Sequence, residues 1–280
     1  MSQLTPLTIG HSPDADDAFM FYGIEQGAAS ITGYHVVHVM QDIQTLNQRS
    51  RKGELDVTAI SAAVYPEVAD KYRILACGAS IGRRYGPLVI ANRPMAVSDL
   101  KGKRVGIPGR DTTAYLLIRL YTDEFEPVFL DFDRIMDAVA NGEVDAGLLI
   151  HEGQITYQER GFHKVLDLGE SWFDDTGLPI PLGLDVVHRR LGENMIQALF
   201  IMLRDSILYA DLHEEEAVAY AMAFGRGIDS ATGKRFIRMY VNEDTRNMGE
   251  EGLTALQVLF DRAQQRGLIA AVPPLDIVGL

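Results

Sequence analysis

Ser61, the pair Thr112-Thr113 and His151 carry the side chains best suited to binding and proton transfer. Each stands beyond the end of an apolar run, at Val57-Thr58-Ala59-Ile60, Arg104-Val105-Gly106-Ile107 and Ala146-Gly147-Leu148-Leu149-Ile150 respectively. An imidazole titrates near neutral pH, so His151 can take a proton from a substrate and return it. The threonine hydroxyls, with the backbone N–H groups of a helix opening at Ala114, can hold a carboxylate or phosphate. Arg110 lies beside them, Ser61 can bind another polar group, and Ser12 opens one more strand-to-helix loop. Plainer roles exist for all of them: helix N-caps for the hydroxyl residues, and a hydrogen-bonded structural ring for the histidine. Glu152 and Tyr157 follow His151 closely enough to orient it or a ligand. Of the other histidines, only His11 stands at a strand end. Asp14, Asp16 and Asp17 lack the glycine and distal glutamate of a calcium loop and suit the positive end of a helix instead.

A repeat places these residues. Gly53-Glu54-Leu55-Asp56-Val57 returns as Gly142-Glu143-Val144-Asp145-Ala146, and each copy leads into an apolar strand. The strand at 7–10 entering a helix near 19–24 is mirrored by the strand at 104–107 entering a helix at 114–121. The pattern predicts an α/β protein of two lobes, with mixed sheets, a central cleft and ligand-binding residues at strand ends facing it. The expected division is a larger discontinuous domain, 1–91 plus 184–280, and a smaller inserted one, 92–183. The crossings fall at Asn92-Arg93-Pro94 and at Gly177–Gly183, where two prolines and two glycines exclude a helix. Two crossings make a hinge. From Glu193 onward apolar residues recur at helical spacing.

With 280 residues and 47% hydrophobic content, the chain fits a globular protein of two modest domains. A net charge of −13 argues against nucleic acid, while a local arginine or helix N-terminus still admits a small anionic substrate. No apolar run is long enough to span a bilayer. The N-terminus has no signal-peptide pattern, and Cys77 is the only cysteine, which reads as a small buried residue. These features predict a cytoplasmic protein without a membrane partner. The oligomeric state is left open. Glycine-rich phosphate loops, metal-binding histidine pairs and the nucleophile turn of serine hydrolases are all missing.

Together these motifs resemble the MqnA/MqnD family of the futalosine route to menaquinone, and most closely its 1,4-dihydroxy-6-naphthoate synthase branch. The resemblance rests on Pro108–Tyr115, Ile150-His151-Glu152 with Thr156-Tyr157, Thr176–Gly183, Tyr240-Val241-Asn242 and Gly249–Gly252. It implies a type II periplasmic-binding-protein-like fold, a catalytic base at His151, substrate contacts at Ser61, Thr112 and Thr113, and no metal or organic cofactor. Where family members often carry Ser-Pro-Cys-Pro-Asn-Asp, this chain has Ser12-Pro13-Asp14-Ala15-Asp16-Asp17. Two alternatives share the fold: a solute-binding protein, which the missing signal peptide disfavours, and the sister chorismate dehydratase, which is not expected to have the His-Glu-x-x-x-Thr-Tyr run.

Overall fold

Both copies of the repeated pentad do the same structural work. Gly53 and Gly142 take left-handed backbone, φ +69° and +73°, just after the helices Ile43–Lys52 and Ile135–Ala140, a conformation in which any side chain is strained. Leu55 and Val144 are buried. The aspartates then turn back to the neighbouring strand: Asp56 Oδ2 accepts from the Thr8 amide and Asp145 Oδ2 from the Arg104 amide, both at 2.9 Å.

The computed structural model describes residues 4–224 and 229–280, so the stretch of the helical tract at 225–228 lies outside it. Twelve strands are described: β1 (Thr5–His11), β2 (Tyr34–Met40), β3 (Val57–Ser61), β4 (Tyr72–Leu75), β5 (Ser80–Gly82), β6 (Leu88–Ala91), β7 (Arg104–Ile107), β8 (Glu126–Phe129), β9 (Ala146–Leu149), β10 (His163–Asp167), β11 (Ile180–His188) and β12 (Ile277–Val278). The larger sheet runs β12-β4-β11-β3-β1-β2, with β5 also paired to β11; the smaller runs β10-β6-β9-β7-β8. In the larger, β2, β1 and β3 are parallel and β11 is antiparallel to β3. In the smaller, β8, β7 and β9 are parallel and β6 is antiparallel to β9. The registers agree as well, Ile9 opposite Val57 and Val105 opposite Ala146.

The sheets correct the expected domain boundaries at both ends. β6 pairs with β9 and β10, so the chain has crossed to the smaller sheet before Leu88 rather than after Ala91. β11 starts at Ile180 and pairs there with β5, so the return is complete before residue 184. Pro181 is tolerated in this strand because a register irregularity lies between it and Gly183. Between β10 and β11 lies a helix, Leu168–Thr176, whose first amides bond the Asp167 carboxylate at 3.0 Å and which ends at Gly177 with φ +71°. Its Trp172 is fully buried and donates to the Pro179 carbonyl at 2.9 Å.

One apolar core runs through both sheets, from Ile60, Ile74 and Val186 to Val89, Val105 and Leu148. Cys77 is buried in a second apolar cluster, which packs Ile9 and Phe19 against Leu199, Leu203 and Ile237, and burial pushes its thiol far above the ordinary range. Among the described residues no helix is long and apolar enough to cross a membrane.

Candidate functional site

A cavity opens between the two sheets, and Ser12, Ser61, Thr112, Thr113 and His151 all line it. Five of the six expected site residues thus converge. Arg110 does not: it is exposed, and its guanidinium lies over the Phe129 ring at 4.4 Å, outside the cavity lining.

His151 follows β9 with φ +58°, a left-handed conformation that is costly for a residue with a Cβ. The Gln154 amide satisfies both of its atoms only when its oxygen faces the His151 N–H, at 3.1 Å, and its nitrogen faces the Gly86 carbonyl, at 2.6 Å, and in that orientation it holds the turn. The imidazole packs edge-on against Phe132, ring centres 4.6 Å apart. Its Nδ1 lies 3.3 Å from Asp14 Oδ2. Asp14 sits at the N-cap position of the helix Ala15–Met20 yet makes no side-chain cap bond; its carboxylate serves the histidine instead. Glu152 and Tyr157, the residues expected to orient the ring, are buried but do not line the cavity.

Ser61 is fixed by Asn47, a residue that no sequence motif marks. Asn47 is fully buried and grips Ser61 twice: its oxygen accepts the Ser61 amide at 2.8 Å and its Nδ2 donates to the Ser61 hydroxyl at 3.0 Å. That leaves the serine proton free to be donated. Gln44, Asn47 and Arg51 share one face of the helix Ile43–Lys52 and all reach Asp111 in the loop after β7. Gln44 Nε2 bonds its Oδ2 at 2.6 Å, and Arg51 bonds both carboxylate oxygens at 2.9 Å. Burial alone would raise the Asp111 pKa, but these bonds outweigh it and hold the carboxyl below its usual range. The larger sheet's helix is in this way clamped to the smaller unit at the cavity's edge.

The threonine hydroxyls are engaged within the protein. Thr112 caps the helix Thr113–Tyr121, accepting from the Tyr115 amide at 3.2 Å and donating to the Gly109 carbonyl at 2.9 Å. Thr113 donates to Leu182 in β11 at 2.6 Å and accepts from the Ala63 amide at 3.1 Å, which joins the two units. What the helix offers a ligand is its first-turn amides, which have no intrahelical acceptor.

The opposite wall is acidic. Asp14, Asp16, Asp17 and Asp185 line the cavity. Burial, reinforced by neighbouring aspartates, raises Asp16 and Asp17 well above the carboxylate range, although Asp17 Oδ2 accepts the Ser12 amide at 2.6 Å. No group of three or more metal-binding side chains is found among the described residues. His11, at the end of β1, stays outside the cavity lining: it is buried, stacks on Phe21 at 4.5 Å and shares a 2.8 Å hydrogen bond with His38. Burial pushes it down to about 4, so it is a neutral structural ring.

The sequence profile of a family described as menaquinone biosynthesis matches residues 7–265. A Thermus thermophilus protein named 1,4-dihydroxy-6-naphtoate synthase is 42% identical over 267 residues, covering 95% of this chain and 97% of that one. A crystal structure of a protein from Archaeoglobus fulgidus, 47% identical, superposes with a TM-score of 0.91 over 94% of this chain and 98% of that chain. The alkanesulfonate-binding protein of Xanthomonas axonopodis pv. citri, 14% identical, superposes with a TM-score of 0.71 over 97% of this chain and 96% of its own, which marks the fold as that of periplasmic binding proteins.

Proposed function

The chain belongs to the menaquinone biosynthesis family, and from that membership we propose that it is a carbon–carbon lyase converting cyclic dehypoxanthinylfutalosine to 1,4-dihydroxy-6-naphthoate, with His151 as general base. The observation that carries the reading is the His151 ring on the cavity wall with Asp14 on its Nδ1. A carboxylate accepting the Nδ1 proton fixes the tautomer whose Nε2 lone pair can take a proton. Nε2 removes the proton of a sugar hydroxyl, the adjacent carbon–carbon bond breaks to release the sugar-derived fragment, and aromatisation of the naphthalene ring drives the step. The helix amides at Thr113 and Ala114 hold the aromatic carboxylate, and Ser61, oriented by Asn47, donates to a second polar group. Closure of the two units excludes water and fixes the approach. No metal or organic cofactor takes part in this scheme, which acts on a small anionic substrate in the cytoplasm.

The test is incubation of the purified protein with cyclic dehypoxanthinylfutalosine and, separately, with chorismate, each followed by mass spectrometry. Naphthoate from the first and no change in the second is expected. Conversion of chorismate, or binding of the cyclic compound without conversion, would overturn the proposal.

A further inference from the structure

Among the described residues that line the cavity there is no arginine or lysine, and there are four aspartates. A site so constituted should repel an anion unless some of those carboxyls are neutral. Asp14 and Asp17 have partners in His151 and the Ser12 amide. Asp16 Oδ1, like Asp185 Oδ2, is buried without a partner, and Asp185 is the one of the two that stands in a strand. It lies mid-strand in β11, opposite Ala59 of β3, and is 2% exposed. Its Oδ2 has no hydrogen-bond partner. The chain even makes room for it: Gly78 stands against the carboxyl with φ +83°, and a Cβ there would fall 2.1 Å from Oδ2. An ionised carboxylate with neither donors nor a cation is very costly to bury, whereas the protonated acid carries one O–H donor and needs only an acceptor.

We infer that Asp185 is a neutral carboxylic acid on the larger unit's wall of the cleft, donating a hydrogen bond to an acceptor oxygen of the bound substrate. The inference rests on the naphthoate-forming reading above and adds a specificity residue to it. It explains how an acid-lined cavity accepts an anion: each neutral acid contributes a donor without contributing charge.

The surroundings favour the protonated form. Burial alone raises Asp185, to about 8. Asp17 on the helix Ala15–Met20 and the Cys77 thiol after β4 both sense its charge unfavourably. Asp14, Asp16, Tyr240 and, from the smaller unit, His151 are the other titratable groups on the cavity. Only a charged His151 would favour the carboxylate, and the proposed mechanism needs that ring neutral before reaction. The donor is therefore present below about pH 8 and lost as pH rises through it.

The test is the KM of the wild type, Asp185→Asn and Asp185→Ala from pH 6.5 to 9. In the wild type, KM should rise about tenfold between pH 7 and 9, as the protonated fraction falls. The isosteric amide of Asp185→Asn donates at every pH, so its KM should stay flat across that range. Asp185→Ala should raise KM about tenfold or more at pH 7. The same alkaline rise in Asp185→Asn as in the wild type, or a wild-type KM in Asp185→Ala, would overturn the inference. Absence of naphthoate formation by the wild type would count against the function reading instead. Asp185 is then judged by 13C-carboxyl NMR of the substrate-free protein, its signal assigned by loss in Asp185→Asn. A midpoint near 8 supports the neutral acid and one below about 5 overturns it.

Discussion

The two ends of the repeated unit are built in opposite ways. After β3 the chain is relaxed, and Asn47 answers both the amide and the hydroxyl of Ser61. After β9 the chain turns through a left-handed residue that is not glycine, held by Gln154 and faced by Asp14. The offset that superposes the pentads sets Ser61 against Ile150, so the histidine lies one residue further on. One scaffold thus carries a binding end made rigid by hydrogen bonds and a reactive end that stores strain, as functional residues in rare backbone conformations often do.

The contrast can be broken first at Asn47. Asn47→Leu keeps the branching and the number of heavy atoms, removes every bond to Ser61 and leaves its buried amide unanswered. A loss of about 2–3 kcal/mol in denaturant unfolding is expected, with a raised KM. A change below about 0.5 kcal/mol would mean that Ser61 is not fixed in this way.

His151→Gly probes the strained end. Glycine accepts φ +58° without a Cβ penalty, so this variant should be more stable than His151→Ala by about 1 kcal/mol. Equal stability in thermal unfolding would remove the strain from the comparison.

The smallest effect sharpens the shared part of the scaffold. Asp56 bonds the Thr8 amide and hydroxyl and pairs with Arg190 at 2.9 Å, while Asp145 is exposed. Asp56→Asn should cost about 1 kcal/mol and Asp145→Asn less than about 0.5 kcal/mol. Burial by itself would raise Asp56, but the Thr8 and Arg190 bonds hold it below the carboxylate range. Its stabilisation is therefore complete above the unfolded pKa of about 4 and disappears as pH falls through the lower folded value. An acid unfolding curve unchanged in Asp56→Asn would contradict this.

Local signals carried much of this molecule into view. The pentads, the strand ends and the helix starts are short-range patterns of apolar runs, glycine and capping residues, and they led to His151, Ser61 and the threonine pair. What local patterns do not carry depends on distant partners. β6 is legible as a strand, but whether it joins β3 or β9 is settled by hydrogen bonds across long sequence separations. Asn47 reads as one polar residue in a polar helix until Ser61 is placed against it. Arg110 is next to the threonines in sequence, yet it leaves the cavity for Phe129. In sequence Asp14 reads as a cap of its own helix, the nearest use of an aspartate, whereas His151 in the other unit lies against it. Two further signals are local. Asp167 and Gly177 bracket the helix Leu168–Thr176 as caps, and Asp185 is a lone carboxylate within the apolar run of β11.

The central claim, that His151 is the group that moves the proton, is tested most directly by the rate of naphthoate formation from cyclic dehypoxanthinylfutalosine with His151→Ala beside the wild type at pH 7. A fall in kcat of about 10²–10⁴-fold is expected, in a variant that unfolds cooperatively and still binds the substrate. A kcat within a few-fold of the wild type would contradict it.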